Sequence, residues 1–396
     1  EIRHFLIGNF LHFTAGVNTA ITPGNFWYTE EEEKINQWVN KLAKHKIIYI
    51  DVIRVLSMLG VVLLHVSAYP LRHALGSGSW HLANILTTLT SPSVPLFFMI
   101  SGAMVLASPH TDDIRYVWRE RMLTLFVPFL VWSAIAILVY QRHRGVLTLA
   151  SFWQTFVSIP TQGAAVALWF MYPLFVLYAL SPLLKKLIDA GGNQLLGYAL
   201  GIWLITNSLL PSIAALLPVP YKNFFLLSND WRLVGGYLGY FLLGYALYKW
   251  QPKLSTSQLA LISVALIAVI SAATWAVTMH TGVYDERFKG YTTFLMVLLT
   301  ASLFLLCKSV GEKLPGWLVW LAETLSPLTY GVYLIHNLIV LVITDPLYVK
   351  HALPFYLQLP LNFVIAAALS MIVIGICTSI PVIRWVFTGI RKRSAA

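Results

Sequence analysis

Three residue types that sit uneasily in an apolar run are the first candidates for chemistry. Asp51, Arg54 and His65 all fall within a stretch running from about Ile47 to Tyr69. On a helix, Asp51 and Arg54 are i,i+3 neighbours and can pair. Arg54 and His65 are eleven positions apart. That is roughly 1100°, or ~20° beyond three turns, so both side chains leave the same stripe. At ~1.5 Å rise per residue they lie ~16 Å apart along the axis. An imidazole can take a proton from a hydroxyl and return it to a leaving group near neutral pH. The alternative for His65 is a ring satisfied by a helix carbonyl. Arg54 either pairs structurally with Asp51 or faces an anionic ligand, and the two roles are compatible.

Four further groups follow. Arg115, Arg119 and Arg121 form a positive cluster that can grip phosphates, contact anionic lipid heads or serve topology alone. Ser93 through Gly102 holds Pro95, which frees a backbone carbonyl, and Ser101-Gly102, which permits close helix approach. Leu168-Trp169-Phe170-Met171-Tyr172 places aromatics at a span entrance, where they commonly form an interfacial belt. Tyr330, Tyr333 and His336 recur at i, i+3 and i+6, a loosely shared helical face; His336 either lines a polar cavity or is a satisfied core histidine. The sequence has no P-loop, dinucleotide fingerprint, His-Glu-x-x-His or nucleophile elbow. Cys307 and Cys377 both sit in apolar runs, so neither a disulfide framework nor a cysteine metal site is expected, and no metal is.

The elements that must position these residues are membrane helices. Of 396 residues, 58% are hydrophobic and only 11% charged, and the mean hydropathy is +0.72. That composition predicts an all-α polytopic membrane protein. The net charge of +11 reflects Lys and Arg retained on the cytoplasmic side and does not argue for nucleic acid. About ten transmembrane helices are predicted, near 47–69, 84–107, 121–140, 167–184, 194–217, 233–250, 257–279, 290–307, 326–345 and 358–386. Fifteen Lys and Arg, from Lys41 to Arg393, fall at one set of span ends, and eight, from Arg72 to Lys350, at the other. This asymmetry puts both termini in the cytoplasm, Arg54 near the cytoplasmic face and His65 toward the outer half. The chain starts at Glu1 rather than Met, which leaves room for residues upstream. It shows no cleavable signal peptide, and the spans themselves would direct insertion.

Residues 1–46 read as a separate N-terminal segment. Thr29 followed by four glutamates is a helix start, and Ile35, Trp38, Val39 and Leu42 recur opposite Lys34, Lys41 and Lys44. This predicts an amphipathic helix either on the cytoplasmic membrane surface or packed on the core. Residues 47–390 form the transmembrane domain, and 391–396 a basic cytoplasmic tail.

Taken in order, these motifs resemble the acyltransferase 3 family of bacterial membrane acyltransferases. The matching residues are Asp51-x-x-Arg54 with His65, Val94 through Gly102, Leu168-Trp169-Phe170, and Tyr330 through His336. The resemblance covers roughly residues 48–390, and the second-span motif is closest to the branch containing the O-acetyltransferase of enterobacterial common antigen. It implies a transmembrane acyltransferase domain in the bacterial cytoplasmic membrane. The donor is acetyl-CoA or another acyl-CoA used from the cytoplasm, and the acceptor a hydroxyl of an envelope glycan or lipid-linked sugar. The family's essential Arg and His fall on Arg54 and His65, joined by Asp51 as catalytic candidates. Donor contacts fall to Arg119, Arg121, Arg115 and Ser101, and acceptor contacts to Trp169, Tyr172, Tyr330 and His336. Two departures stand out. The family's two arginines three apart are replaced by Arg115, Arg119 and Arg121, with Thr124 where a partner would fall, and Ala167 occupies a position where a histidine is common.

Two other classes compete with this reading: a transporter or flippase of glycan intermediates, and a non-catalytic sensor or scaffold docking a partner through residues 1–46. Substrate movement without CoA consumption marks the first, and failure to bind CoA the second. The acyl group, the acceptor sugar and the oligomeric state are not written in the sequence.

Overall fold

A computed structural model describes residues 47–162, 168–216, 232–250, 252–311, 313–344 and 353–391. The amphipathic helix expected in residues 1–46, and residues 392–396 of the basic tail, lie outside the described residues.

Every regular element among the described residues is helical. The main helices are α1 (Ile48–Ser67), α2 (Gly78–Thr90), α3 (Ser93–Leu106), α4 (Leu123–His143), α5 (Met171–Trp203), α6 (Arg232–Lys249), α7 (Thr256–Thr281), α8 (Phe294–Gly311), α9 (Gly316–Leu325), α10 (Thr329–Ile339), α11 (Phe355–Ser379) and α12 (Pro381–Thr388). Eight helical stretches among the described residues are long and apolar enough to cross a membrane. Outward-facing residues are themselves apolar, as with Leu261, Val264 and Trp275 on α7 and Leu357, Val364 and Ile372 on α11. A helix that is apolar all round belongs in lipid or in a large core. The chain is an all-α polytopic membrane protein.

Eight stretches and ten predicted spans differ for two physical reasons. Met171–Ala214 is one 44-residue stretch, which as a straight helix would be ~66 Å long, about twice the ~30 Å hydrocarbon core. It is broken at Gly192, whose φ of 57° and ψ of −153° are not helical. That break falls between the spans predicted at 167–184 and 194–217. The span predicted at 233–250 is α6, whose glycines, tyrosines and terminal charges lower its hydropathy.

Helix α1 occupies the centre. It packs against α2, α3, α8, α9, α10 and α11. Its Ile50, Ile53, Met58, Val61 and Val62 are almost wholly buried. Helix α3 has no polar face, and its Phe98, Met99, Ala103 and Leu106 are fully enclosed. Its most extensive partner is α6. The two backbones meet closely because both carry glycine at the crossing. A Cβ on Gly102 would lie 1.8 Å from the Phe241 carbonyl oxygen, and one on Gly244 would lie 2.0 Å from that of Met99. The sequence expectation of close approach at Ser101-Gly102 is met there. The end of α6 is tied down from α8: Lys308 Nζ donates to the carbonyls of Leu247, Tyr248 and Trp250, which a helix end would otherwise leave without partners.

The predicted second span is interrupted, and the ninth begins at a break inside the longer helical stretch Gly316–Val342. Pro92 separates α2 from α3, and the 3₁₀ turn Ser326–Leu328, containing Pro327, separates α9 from α10. Pro cannot donate to the helix ladder, so each break leaves a helix start inside the bundle.

Candidate active site

Asp51 is in the first turn of α1 and is nearly buried. Arg54 donates to its Oδ1 across 3.2 Å, the i,i+3 pair the spacing predicts. A second donor arrives from far along the chain: the Ser326 hydroxyl, at the α9–α10 break, also donates to Asp51 Oδ1. A buried carboxylate needs such partners to offset lost hydration. The network anchors α1 to the α9–α10 break and leaves Arg54 one-third exposed.

What Arg54 faces is a cavity of about 240 Å³. Arg121 also lines it, with Ser101, Phe97 and Met104 from α3, Phe170, Tyr178 from α5, and Ser326, Thr329, Tyr330 and Tyr333 around the α9–α10 break. Two guanidinium groups over a pocket with aromatic walls suit a ligand with anionic and apolar parts. Tyr330 is fixed there by its hydroxyl, which donates to the Leu125 carbonyl in α4.

His65, half-buried near the end of α1, lines neither of the two cavities described here. It is joined to the first one through side chains. Its ring centroid is 5.1 Å from that of His336, and His336 is 5.8 Å from Tyr333, which lines the cavity. His336 is fully buried. Its Nδ1 lies 2.6 Å from the Tyr333 carbonyl. A carbonyl only accepts, so the hydrogen of the neutral ring is assigned to Nδ1, and Nε2 keeps its lone pair. Nε2 has no partner among the described residues. An unsatisfied buried ring nitrogen beside a second imidazole is an unusual expense in a core.

Leu64 and Ala68, in the same turn of α1 as His65, line a second cavity of about 330 Å³. It is otherwise bounded by Leu71, Arg72, Thr87, Ser91, Tyr284, Glu286, Lys289, Gly290 and Tyr291. The first cavity is thus lined by α1 at Arg54 and the second by α1 at Leu64 and Ala68, the turn that carries His65.

Of the expected site residues, Asp51, Arg54, Ser101, Arg121 and Tyr330 are brought together at the first cavity. Arg115 and Arg119 do not line it. The Arg115 backbone N–H donates to Asp113, and the Arg119 carbonyl accepts from Arg391, which also pairs with Glu120 at 2.6 Å. Tyr172 donates its hydroxyl to the Ile159 carbonyl at 2.7 Å. Trp169 stacks on Tyr291, 5.7 Å between centroids, and so backs the second cavity rather than the first. Sequence reasoning did not single out Ser326 as a site residue, nor Tyr178, Lys289 or Tyr284. Ser326 alone carried a signal, standing just before a proline that breaks a span.

The acyltransferase 3 family model, an acyltransferase domain, matches residues 47–379, which takes in both cavities and the histidine pair. The chain belongs to this family and is a membrane acyltransferase. No curated protein and no solved structure matches it.

Proposed function

We propose that this protein transfers an acyl group, most simply acetyl, from acyl-CoA on the cytoplasmic side to a hydroxyl of a cell-envelope glycan or lipid-linked sugar. The membrane is the bacterial cytoplasmic membrane, with both termini inside, and the second-span motif favours the branch of the enterobacterial common antigen O-acetyltransferase. One observation carries the reading: a cavity bearing Arg54 and Arg121 is linked through Tyr333 and His336 to His65, whose helical turn lines a second cavity through Leu64 and Ala68. The first cavity takes the donor, with the two arginines holding its phosphates. The ~16 Å between Arg54 and His65 along α1 is the path that a long thioester arm must cover.

At His65 the acceptor hydroxyl gives its proton to the imidazole while its oxygen attacks the thioester carbonyl carbon. The C–S bond then breaks, and the leaving thiolate takes the proton back from His65. In a relay version, the imidazole nitrogen attacks the thioester carbonyl, the C–S bond breaks, and the ring's N–H proton leaves with the CoA thiolate. The acceptor oxygen then attacks the acyl-imidazole, the N–C(acyl) bond breaks, and the acceptor's proton returns to the ring. Both versions conserve atoms and charge, and both need His65.

The test is acetyl transfer from labelled acetyl-CoA in membranes. A folded His65→Ala protein should lose transfer by at least 100-fold, the low end of the ~10²–10⁴ range for general base catalysis. Wild-type activity in that variant rejects the mechanism. Label retained on the protein after CoA release, and absent in His65→Ala, selects the relay.

A further inference from the structure

The second cavity holds a buried cation without an ionic partner among the described residues. Lys289 is only 6% exposed. Its Nζ donates to the Asn84 carbonyl and to Thr87 Oγ1, each at 2.8 Å, and Tyr284 stands 5.9 Å away by its ring centroid. An ammonium carries three hydrogens, and two are spoken for. The holders are themselves fixed: Asn84 Nδ2 donates to the Ser271 carbonyl of α7 at 2.9 Å, so α2 and α7 clamp the lysine in place. Arg72 lines the same cavity, and the acidic group there is Glu286, on an exposed residue. No carboxylate among the described residues lies within ion-pair distance of Lys289 or Arg72. Two basic side chains against one carboxylate leave the cavity short of negative charge. Taking an ammonium out of water costs several kcal/mol unless a countercharge or strong hydrogen bonds offset it.

We propose that this cavity is the acceptor site, and that it selects a sugar bearing a single negative charge, a uronate, whose carboxylate meets Lys289 and Arg72. This rests on the acyl-transfer reading for what happens next, but not for binding. The cavity's volume falls at the lower end of the ~300–1,000 Å³ usual for small-molecule sites. Tyr284 and Tyr291 give it aromatic walls, and Tyr291 is held from behind by Trp169 and through its carbonyl by the Tyr240 hydroxyl. Leu64 and Ala68 line the cavity from the same turn of α1 that carries His65, so a sugar bound there lies within about one helical turn of the group that must deprotonate its hydroxyl. A charged anchor beside the reacting end fixes which hydroxyl is presented.

The experiment compares two matched probes, octyl β-D-glucuronide and octyl β-D-glucoside, binding to the full chain in lipid nanodiscs at fixed ionic strength. The glucuronide should bind at least tenfold more tightly. Lys289→Gln should reduce the preference below twofold. Arg72→Gln, at an exposed position, should reduce it severalfold. Equal affinity of the two probes for the wild type, or a preference surviving both substitutions, overturns the proposal. His65→Ala should keep the preference. If the preference holds but neither probe is acetylated from acetyl-CoA by the wild type, the acyl-transfer reading fails while the uronate site stands.

Discussion

Replacing Gly102 by alanine tests whether the α3–α6 contact sets the geometry of the donor cavity. The new methyl would sit 1.8 Å from the Phe241 carbonyl oxygen and 2.5 Å from its carbonyl carbon. Comfortable contact begins near ~3.5 Å, so the helices must part by about 1.7 Å. The obstacle is backbone in a helix, not a side chain that can swing away. Overpacking of this kind costs about 1–3 kcal/mol, and a rigid carbonyl puts it at the upper end. Against this, Gly→Ala within a helix gains ~1 kcal/mol. The net loss is then ~2 kcal/mol. The control is Gly375→Ala in α11, where nothing lies within 4 Å of the added Cβ and only the propensity gain should show. The two variants should differ by ~3 kcal/mol in thermal unfolding measured in the same detergent. Transfer activity should fall more steeply than stability. Phe97, Ile100, Ser101 and Met104 of α3 line the cavity, and a ~1 Å misplacement of positioned groups costs on the order of 100-fold in rate. If Gly102→Ala melts with Gly375→Ala and transfers acetyl at the wild-type rate, the close approach does not set the cavity.

Two other outcomes follow from the same contacts. Asp51→Ala removes the acceptor shared by Arg54 and Ser326 and leaves a one-third-exposed guanidinium without its pair; it should destabilise the protein by about 1.5–3 kcal/mol, whereas the double variant Asp51→Ala/Arg54→Met should recover part of the melting temperature but none of the acetyl transfer. Lys289, on the loop before α8, has its pKa pushed down to about 7 by burial, partly opposed by Glu286, while burial pushes the neighbouring Tyr291 up to about 12 and Tyr284 upward too; the unfolded lysine keeps its proton up to ~10.4, so between these values the unfolded state binds more protons, stability should rise with pH from about 7 to 10, and Lys289→Met should flatten that rise in a melting series.

Much of the helical frame was legible because spans are written as local composition. The Asp51–Arg54 pair was legible for the same reason, since spacing of three fixes it on any helix. The stripe shared by Arg54 and His65 was legible as spacing on one helix, but that Arg54 lines a cavity while His65 meets His336 was not. What the sequence could not show is pairing over distance. Ser326 is 275 positions from Asp51, and Lys289 is 205 from Asn84; no periodicity encodes either. The division of Met171–Ala214 was anticipated as two spans, but its means, a glycine at positive φ, was not. The arginine cluster is a unit in sequence, yet only Arg121 lines the cavity; residues two apart on a helix leave different faces, so Arg119 points elsewhere.

The central place of α1 also sets an order of events. It is the first described helix to leave the ribosome, yet several of its neighbours, α8 through α11, are among the last. The hydroxyl that completes the Asp51 network is made 275 residues later. At ~5–20 residues per second that is a wait of roughly 14–55 s. Throughout that interval the carboxylate has one companion already in hand, Arg54, three positions away on the same helix. The pair thus serves as an escort during biogenesis, carrying an acidic group into the bilayer as a near-neutral unit until the last helices arrive to enclose it.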